Sequence, residues 1–579
     1  MDDDWVDLRP GRIGRDRRAA AKSRRFVSLV SQAVQKAGGR GRYPGQGPRA
    51  KMVRGRGGGA ALRSLASDRR RVVVKARVVR HQGRRFRAAA LPRHIRYLER
   101  EGVTRDGADA HMFDARSEAA DVGAFAERCA DDRHHFRLIV SPEDAVDMAD
   151  LRAFTRDLMA QAERDLITRL DWVAVDHWNT DNPHVHVLVR GRTEDGSDLV
   201  IAPHYISRGL RERAEALVTL ELGPRTERDI VAALERDVVA ERVTPLDRAL
   251  RDIAERSAGL IDLRRGGDAL TADLRAALVG RATALERFGL AEAHGVGRWT
   301  LHPDHLSTLQ SLSIRGDIIK TMHQAMSRGG RSADPGRFAL HDEAPDATIL
   351  GRLVDRGLDD ELKGSAYAIV DGVDGRQHHL RFSSLEAASD ARLGAIVELR
   401  TWKDRDDTLR MGLTVRSDLD LPGQVTAQGA TWLDRQLVSR HPVETGDGFG
   451  AEVRQALAER RQHHLAAGHA EQRGPRIFYR RALLQSLRED ELGAAIARTE
   501  AATGLAHAPS AEGEAIAGVY RRRLDLASGR FAMIDDGLGF QLVPWRPALE
   551  AHGGAEVTGV KRPDGGVDWS FARPRGLGL

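Results

Sequence analysis

The chain has 579 residues, of which 41% are hydrophobic, and its formal net charge is +7. This length exceeds what one hydrophobic core supports, so we expect several domains. No run of about 18 apolar residues is present, which excludes a membrane-spanning helix and membrane insertion. The single cysteine, Cys129, excludes an intramolecular disulfide framework and a cysteine-rich zinc site. We therefore expect a soluble protein of a reducing cytoplasm.

The positive charge is concentrated in the first 90 residues. They hold 25 Lys and Arg against 6 Asp and Glu, an excess of 19 that leaves the other 489 residues with a net charge of −12. Residues 1–68 are too polar and Gly-rich to bury a core, so we predict a basic disordered arm. Its expected partner is a polyanion, with nucleic acid as the default. The alternative is a solvated tail without a specific partner.

Residues 69–228 are predicted to form an α+β domain with an antiparallel sheet. β-branched runs and period-two alternation mark its strands, and apolar residues at helical spacing mark its helices. An S-x-x-D signal at 141–144 predicts the start of the long central helix. In chain order the pattern predicts a strand at 70–79, a helix at 91–103, a strand at 134–142, this long helix, a hairpin of strands at 171–178 and 184–190, and a helix at 206–222.

The second half of the chain has a different pattern. Residues 229–326 are predicted to be mainly helical and have the outline of a winged helix-turn-helix, two short amphipathic helices followed by a turn-rich pair of strands. A linker rich in Gly, Pro and Asp is expected at 327–347. Short alternating strands predict a small β-barrel within 348–427. Residues 428–579 are expected to form a C-terminal α+β region.

The stretch "HWNTDNPHVH" at 177–186 contains three histidines within ten residues. Positions i and i+2 of a strand share one face, so His184 and His186 are expected to point the same way. With the turn at "DNP", His177 at the end of the neighbouring strand can face the same side. Three imidazoles without a cysteine leave a divalent ion with open positions, which suits catalysis. The alternative is an ordinary strand with partly exposed histidines.

A metal with open coordination positions can polarise a phosphate or activate a water, and the basic arm favours phosphate. Tyr97 is the candidate nucleophile, because it stands in "RHIRYLEREG" among Arg93, His94, Arg96 and Arg100. A tyrosine on a helix packed against the histidine strands could attack phosphorus in line. The alternative is that Tyr97 is a surface residue of an amphipathic helix.

"HWNTDNPHVHVLVRG" resembles the histidine motif of conjugative relaxases, the plasmid-mobilising members of the HUH single-strand endonucleases. "RHIRYLEREG" is similar to their catalytic-tyrosine motif and likewise precedes the histidines. The resemblance covers about residues 70–228. It implies a five-stranded antiparallel sheet with helices on one side, and a divalent cofactor, Mg²⁺ or Mn²⁺. It also implies that the tyrosine cleaves one DNA strand at an origin of transfer and remains linked to the 5′ phosphate.

The resemblance further implies that the protein leads the strand through a type IV secretion channel, with the coupling protein of that channel and relaxosome accessory proteins as partners. The expected location is the bacterial cytoplasm, with translocation to a recipient cell together with the DNA.

The chain departs from the relaxase pattern at one position. Relaxases of this branch often have an aspartate two residues after the first histidine, where this chain has Asn179. An amide cannot act as a base, so a required carboxylate would come from Asp181 or Asp176. Alternation turns Asp176 away from the metal side, which favours Asp181 as the catalytic carboxylate.

Further candidate residues follow the histidine hairpin. Arg208, Arg211 and Arg213 lie on the predicted helix that begins near residue 206, and together with Arg93, Arg96 and Arg100 they are candidate contacts to the DNA backbone. The alternative for the helix is a solvated face. Tyr205 in "APHYISRG" is the second candidate nucleophile.

Other functions fit parts of the sequence. A replication initiator or transposase of the same superfamily would share the nicking chemistry. A non-enzymatic DNA-binding protein would use the arm and the winged helix, and a metal-dependent hydrolase would act through water without Tyr97. A covalent adduct with single-stranded DNA separates the first two classes from the last two.

Overall fold

The computed structural model describes residues 67–571 except for 82–89, 102–103, 179, 181, 265–270, 342, 346, 361, 405–406 and 564. Apart from residues 67 and 68, the predicted basic arm therefore lies outside the described residues. The chain divides into two compact units. The first contains the described residues up to Asp317 together with Asp360–Gly364, and the second contains Ile318–Asp359 and the described residues from Ser365 onward.

The first unit begins with an antiparallel sheet. Its strands are β1 (Val72–Arg80), β2 (His134–Pro142), β3 (Trp172–His177) and β4 (His184–Arg190), in the spatial order β1-β2-β4-β3. The described residues thus provide four strands where five were expected. At the free edge of β3, Phe113 and Ala174 exchange two backbone hydrogen bonds of 2.8 Å each. An isolated bridge therefore occupies the fifth position.

Four helices accompany this sheet within the described residues. They are α1 (Ala90–Glu101), α2 (Val122–Arg128), α3 (Leu151–Leu166) and α4 (Leu210–Leu222). The S-x-x-D signal at 141–144 does not start α3, because β2 continues to Pro142 and a short 3₁₀ turn follows. Asp150 caps α3 instead, its carboxylate accepting from the Arg152 backbone N–H. A π-helical turn at Tyr205–Gly209 leads into α4.

One face of the sheet forms the main apolar core with α3 and α4. Alternation places one set of strand residues on this face, among them Val74, Leu138, Val185 and Val187. Apolar residues of the two helices, spaced three and four apart, close over them: Leu151, Phe154, Leu158, Leu210, Ala214 and Val218. The opposite face of the sheet does not contribute to this core. Helices α1 and α2 pack against β3. Helices therefore lie on both sides of the sheet rather than on one.

The chain then continues as a helical segment with a small sheet. Its elements are α5 (Glu227–Val239), α6 (Pro245–Arg256), β5 (Leu260–Asp262), α7 (Ala272–Arg287), β6 (Ala291–Ala293), β7 (Arg298–Leu301) and α8 (His305–Arg328). In the described residues the strands pair in the order β5-β7-β6, so a hairpin follows α7 as predicted. Apolar residues of α5, α6, α7 and the strands share one core.

The second unit begins with another sheet. Its strands are β8 (Phe338–His341), β9 (Leu350–Asp360), β10 (Ser365–Gly372), β11 (Gln377–Phe382), β12 (Ile396–Lys403) and β13 (Leu409–Ser417), in the order β13-β12-β9-β10-β11-β8. The predicted barrel is not observed, since no pairing among the described strands joins β13 to β8. Strand β8 pairs in parallel with β11 and so occupies the edge needed for closure. It also lies within the predicted linker.

The remaining elements form an α+β region, as predicted. They are α9 (Leu421–Thr426), α10 (Trp432–Leu437), α11 (Phe449–Ala466), β14 (Ala470–Arg473), β15 (Arg476–Tyr479), α12 (Leu483–Thr503), β16 (Ala506–His507), β17 (Ala515–Leu526), β18 (Gly529–Asp535), β19 (Gly539–Pro544), β20 (Glu556–Lys561) and β21 (Val567–Ser570). Strands β14 and β15 form a hairpin, and the last six strands pair in the order β16-β19-β18-β17-β20-β21. No helix in the described parts of the chain is both long and apolar enough to cross a membrane.

The helical segment of the first unit contains a fully buried ion pair. Arg281 donates to both carboxylate oxygens of Asp247, at 2.7 and 2.9 Å, and neither side chain is exposed. Arg281→Met would leave a buried carboxylate unpaired and is expected to lower the free energy of unfolding by about 3–5 kcal/mol. Urea denaturation measures this loss. The exposed Arg287→Met on the same helix is the control, and equal effects of the two substitutions would contradict the prediction.

Candidate active site

The three histidines of the sequence motif converge on the sheet face opposite the main core. In β4, His184 and His186 alternate with Val185 and Val187, whose side chains enter the core. His177, at the end of β3, is the direct cross-strand partner of His184. Directly paired residues of an antiparallel sheet point to the same side. The hairpin therefore brings all three imidazoles to one place, as the sequence predicted.

The triad is compact and buried. The potential ligand atoms of His177, His184 and His186 all lie within 4.8 Å of one another, and their ring centroids are 4.6 to 5.4 Å apart. Each side chain belongs to a residue that is less than 10% exposed. Among the described residues this is the one group of His, Cys, Asp or Glu with the spacing of a metal site.

Backbone carbonyls orient two of the rings. His184 Nδ1 lies 2.9 Å from the Asn182 carbonyl, and His177 Nε2 lies 3.0 Å from the Leu98 carbonyl. A carbonyl only accepts, so in each case the ring nitrogen donates. In the neutral imidazole the opposite nitrogen, Nε2 of His184 and Nδ1 of His177, then carries the lone pair that a metal needs.

The residues fit a divalent ion. Two nitrogens bound to one ion at about 2.0–2.1 Å lie roughly 3.0–3.4 Å apart. The Nε2 atoms of His184 and His186 are separated by 3.1 Å. Ser141 of β2 steadies the hairpin loop by donating to the Pro183 carbonyl at 3.2 Å. The three side chains could therefore hold one metal ion and leave coordination positions for another ligand.

Helix α1 brings Tyr97 to the same side of the sheet. The carbonyl that accepts from His177 belongs to Leu98, the residue after Tyr97. Tyr97 and His94, one turn apart, are each 8% exposed, whereas Arg96 between them is exposed. Tyr97 is therefore a buried residue on a helix in contact with the triad, which does not match the interpretation of a surface tyrosine.

The second candidate nucleophile, Tyr205, lies on the other side of the sheet. Its ring packs against the main core, and its hydroxyl donates to Asp165 of α3 at 2.9 Å. Burial and this hydrogen bond raise the pKa of Tyr205. A higher pKa reduces the fraction of phenolate, the more nucleophilic form. The structure does not bring Tyr205 together with the histidines.

The predicted DNA-contacting arginines do not form one surface with the triad. Arg208 and Arg211 are exposed at or near α4, on the helical side of the sheet, and Arg213 forms an ion pair with Asp165 at 2.9 Å. Arg96 is exposed on α1. The side chains of Arg93 and Arg100 lie outside the described residues.

Of the two candidate catalytic carboxylates, the structure describes Asp176. Asp181, the predicted catalytic carboxylate, and Asn179 lie outside the described residues. Asp176 faces away from the triad, as the alternation predicted. Its carboxylate accepts from Arg152 at 2.9 Å and from the Trp178 indole at 2.8 Å.

A row of basic residues on the triad side of the sheet was missed by the sequence reasoning. Lys75 and Arg77 are exposed on β1, and Arg137 on β2 is the cross-strand partner of Arg77. In the described part of the chain none of the three forms an ion pair with an acidic group. The alternation in "VVVKARVVR" was the signal that could have revealed the first two.

Arg137 keeps its charge despite being buried. Burial and the charge of Arg77 lower the pKa of Arg137 to about 10, so the guanidinium stays protonated at neutral pH. It donates to His135 at 3.2 Å. Burial and the charge of Arg137 in turn lower the pKa of His135 to about 3, so that ring is neutral and does not balance the arginine. Two positive side chains opposite each other in a sheet repel. An anion bound beside Arg77 and Arg137 would relieve that repulsion.

Comparison with known proteins gives a family match in the second half of the chain. A family model described as a protein of unknown function, DUF3363, matches residues 278–408 and 402–578. No curated protein and no solved structure matches the chain. The matched residues begin in α7, after the triad and Tyr97.

Proposed function

The chain belongs to the family of proteins of unknown function called DUF3363, and for this member we propose the activity of a relaxase. It nicks one DNA strand at an origin of transfer by transesterification onto Tyr97. The observation that carries the proposal is the contact between His177 and the Leu98 carbonyl, which joins a buried three-histidine cluster to the helix of a buried tyrosine.

The proposed reaction exchanges one phosphate ester for another. The Tyr97 Oη attacks phosphorus and forms an O–P bond, the P–O3′ bond breaks, and the 3′ oxygen leaves as a hydroxyl after taking up a proton. The tyrosine proton passes to a base, for which Asp181 is the candidate. Because the 5′ phosphate remains esterified, the 3′ hydroxyl can later attack it and reseal the strand. Hydrolysis by water would lose this option.

His177, His184 and His186 would hold the metal ion. When bound, a divalent ion neutralises charge on the phosphate and helps to orient it. The donor set consists of imidazole nitrogens, which suit first-row transition ions, whereas Mg²⁺ prefers oxygen ligands. Of the two ions expected from the sequence, Mn²⁺ is therefore favoured over Mg²⁺.

The basic row supports a path for the DNA strand. Lys75 and Arg77 are exposed on the same side of the sheet as the triad, and their charges suit the phosphates of a single strand. Arg137 is buried beside Arg77 and adds positive charge there without being exposed itself. The arginines of α4 lie on the opposite side and are not part of this path. The wider proposal is that the protein pilots the nicked strand in conjugative transfer, with the relaxosome and the type IV coupling protein as partners.

A denaturing gel tests the activity. Labelled single-stranded oligonucleotides tiled across the non-coding DNA beside the gene are incubated with the chain and Mn²⁺. A relaxase gives a free upstream fragment that ends in a 3′ hydroxyl, and an equal amount of a protein-linked band that contains the downstream fragment. Cleavage without a protein-linked band would favour a water-using hydrolase, and binding without cleavage would favour a non-enzymatic DNA-binding protein. Either result contradicts the proposal.

The basic arm is expected to supply affinity that does not depend on DNA sequence. Each phosphate contact contributes about 0.7 to the slope of log affinity against log salt on single strands. Deletion of residues 1–68 should flatten this slope and leave cleavage of a short, saturating oligonucleotide unchanged. Fluorescence anisotropy between 50 and 300 mM salt measures the slope. An unchanged slope would assign the arm to another partner.

A further inference from the structure

The chain contains two copies of one helical module. The pattern T-x-L-D-R-x-L occurs at residues 244–250 and again at residues 431–437, 187 positions later. In both copies the threonine is the N-cap of a helix, and the aspartate three positions on closes a capping box. The first copy lies in α6 and the second in α10.

In each copy, a different buried arginine binds the aspartate of the capping box, and the two contacts have the same geometry. Arg460 of α11 donates to both carboxylate oxygens of Asp434 at 2.8 Å, and neither side chain is exposed. This repeats the Arg281–Asp247 pair. Although burial disfavours the ionised form, hydrogen bonds from His464 and Arg460 lower the pKa of Asp434.

The hydrogen bonds to backbone carbonyls match as well. Arg281 donates to the carbonyls of residues 238, 240 and 242, and Arg460 donates to those of residues 425, 427 and 429. Each carbonyl is 187 positions from its counterpart, the same spacing as the two sequence patterns. Each of the five hydrogen bonds that Arg281 donates thus has an equivalent among those that Arg460 donates. We infer that the two segments are copies of one module, because unrelated folds would not share all five contacts by chance.

The same element order follows each arginine. Helix α7 leads into the hairpin β6–β7 and helix α8, and helix α11 leads into the hairpin β14–β15 and helix α12. Two helices followed by a hairpin have the outline of a winged helix-turn-helix, in which the second helix is the one that enters the groove of the nucleic acid. The sequence indicated this outline for the first copy. The structure adds the second.

The two hairpins differ in their exposed residues. The segment 470–482 has four arginines and one glutamate, whereas the equivalent segment 291–304 has one arginine, one glutamate and one aspartate. Phe478 is 49% exposed on β15, and its counterpart in the first copy is Thr300. The second hairpin segment therefore has a net positive charge and an exposed aromatic ring, whereas the first has a net charge of −1 and its one aromatic ring, Trp299, is buried.

We infer that the second hairpin binds single-stranded DNA, with its arginines contacting phosphates and Phe478 stacking on a base. Its four arginines, Arg473, Arg476, Arg480 and Arg481, are all exposed. Arg473 is paired with Glu471, and in the described structure the other three form no ion pair. Their charge is available to a polyanion.

The surroundings of Phe478 suit a base. The Arg473 guanidinium lies 5.7 Å from the centre of the ring. A surface depression beside the ring is lined by Val438, Tyr479, Arg480 and Leu484. An aromatic ring among arginines is the usual platform for unpaired bases, since base stacking tolerates any sequence. Duplex DNA keeps its bases inside the helix and would not use this ring.

Photo-crosslinking locates the contact. The full chain carrying Tyr97→Phe is mixed, without metal, with a thymidine oligonucleotide that contains 5-iodouracil, so that binding is measured independently of the proposed nicking. After irradiation and trypsin digestion, we expect the nucleotide on the peptide Ile477–Arg480, which contains Phe478. Phe478→Thr, which introduces the residue of the first copy, should abolish this cross-link.

Salt dependence measures the phosphate contacts. Arg476→Ser with Arg480→Ser is expected to lower the slope of log affinity against log salt by about 1.4, because each contact contributes roughly 0.7. The matched control is Arg298→Ser with His302→Ser, at the equivalent positions of the first hairpin, which should leave the slope unchanged. Cross-links that map elsewhere, together with equal slopes for the two double variants, would overturn the inference.

Discussion

Tyr97→Phe is expected to eliminate strand cleavage and the covalent protein–DNA adduct together. The substitution removes one oxygen and keeps the ring that packs in α1, so folding and metal binding should persist. Without that oxygen no O–P bond can form, and the rate should fall by at least about 10⁴-fold, as for the loss of other enzymatic nucleophiles. The denaturing gel that reveals both products in the wild type is the measurement.

Tyr205→Phe is the control for Tyr97→Phe. Tyr205 lies on the opposite side of the sheet and donates to Asp165, so its loss should leave both products in place. A protein-linked band that persists in Tyr97→Phe and disappears in Tyr205→Phe would reverse the assignment. Cleavage that survives both substitutions would favour water as the nucleophile.

His184→Ala is expected to abolish stoichiometric metal uptake and to slow cleavage by about 100–1,000-fold, the usual effect of losing one group that stabilises developing charge. His184 is the residue to change, because it pairs with His177 across the hairpin and faces His186 at 3.1 Å. Metal affinity should fall by more than the roughly 10–100-fold that follows loss of an outer partner of a metal ligand.

Calorimetric titration with Mn²⁺ measures this affinity. His111→Ala, at an exposed histidine of the same unit, is the matched control and should bind Mn²⁺ like the wild type. Titration of the wild type with Mg²⁺ should give weaker binding, because the donors are nitrogens. If His184→Ala still binds one equivalent of Mn²⁺ with the affinity of the wild type, the three histidines are not the metal site.

Local patterns of sequence were sufficient for the main features of the site. Alternation in "HVHV" predicted which side of the sheet His184 and His186 face, and the pairing of β3 with β4 places His177 directly opposite His184. The helix of Tyr97 was predicted at 91–103 and is observed at Ala90–Glu101. These features depend on the backbone geometry of one strand, one turn and one helix, which short windows of sequence specify.

Features that depend on distant contacts were not accessible in this way. The cross-strand pairing of Arg77 with Arg137 joins residues 60 positions apart, and neither segment alone shows it. The barrel prediction was wrong because alternation identifies strands but not which edges pair. The second module was missed although the pattern T-x-L-D-R-x-L repeats at 244–250 and 431–437. That pattern is short, and the matching contacts of Arg281 and Arg460 are seen only in the folded chain.

Peptide mapping of the covalent adduct tests the central claim most directly. The protein-linked species is isolated after reaction with an origin oligonucleotide, digested with nuclease and trypsin, and analysed by mass spectrometry. The proposed chemistry predicts a nucleotide on the peptide Tyr97–Arg100, attached through the tyrosine oxygen to a 5′ phosphate. A nucleotide on the peptide that contains Tyr205, or on any residue other than Tyr97, would contradict it.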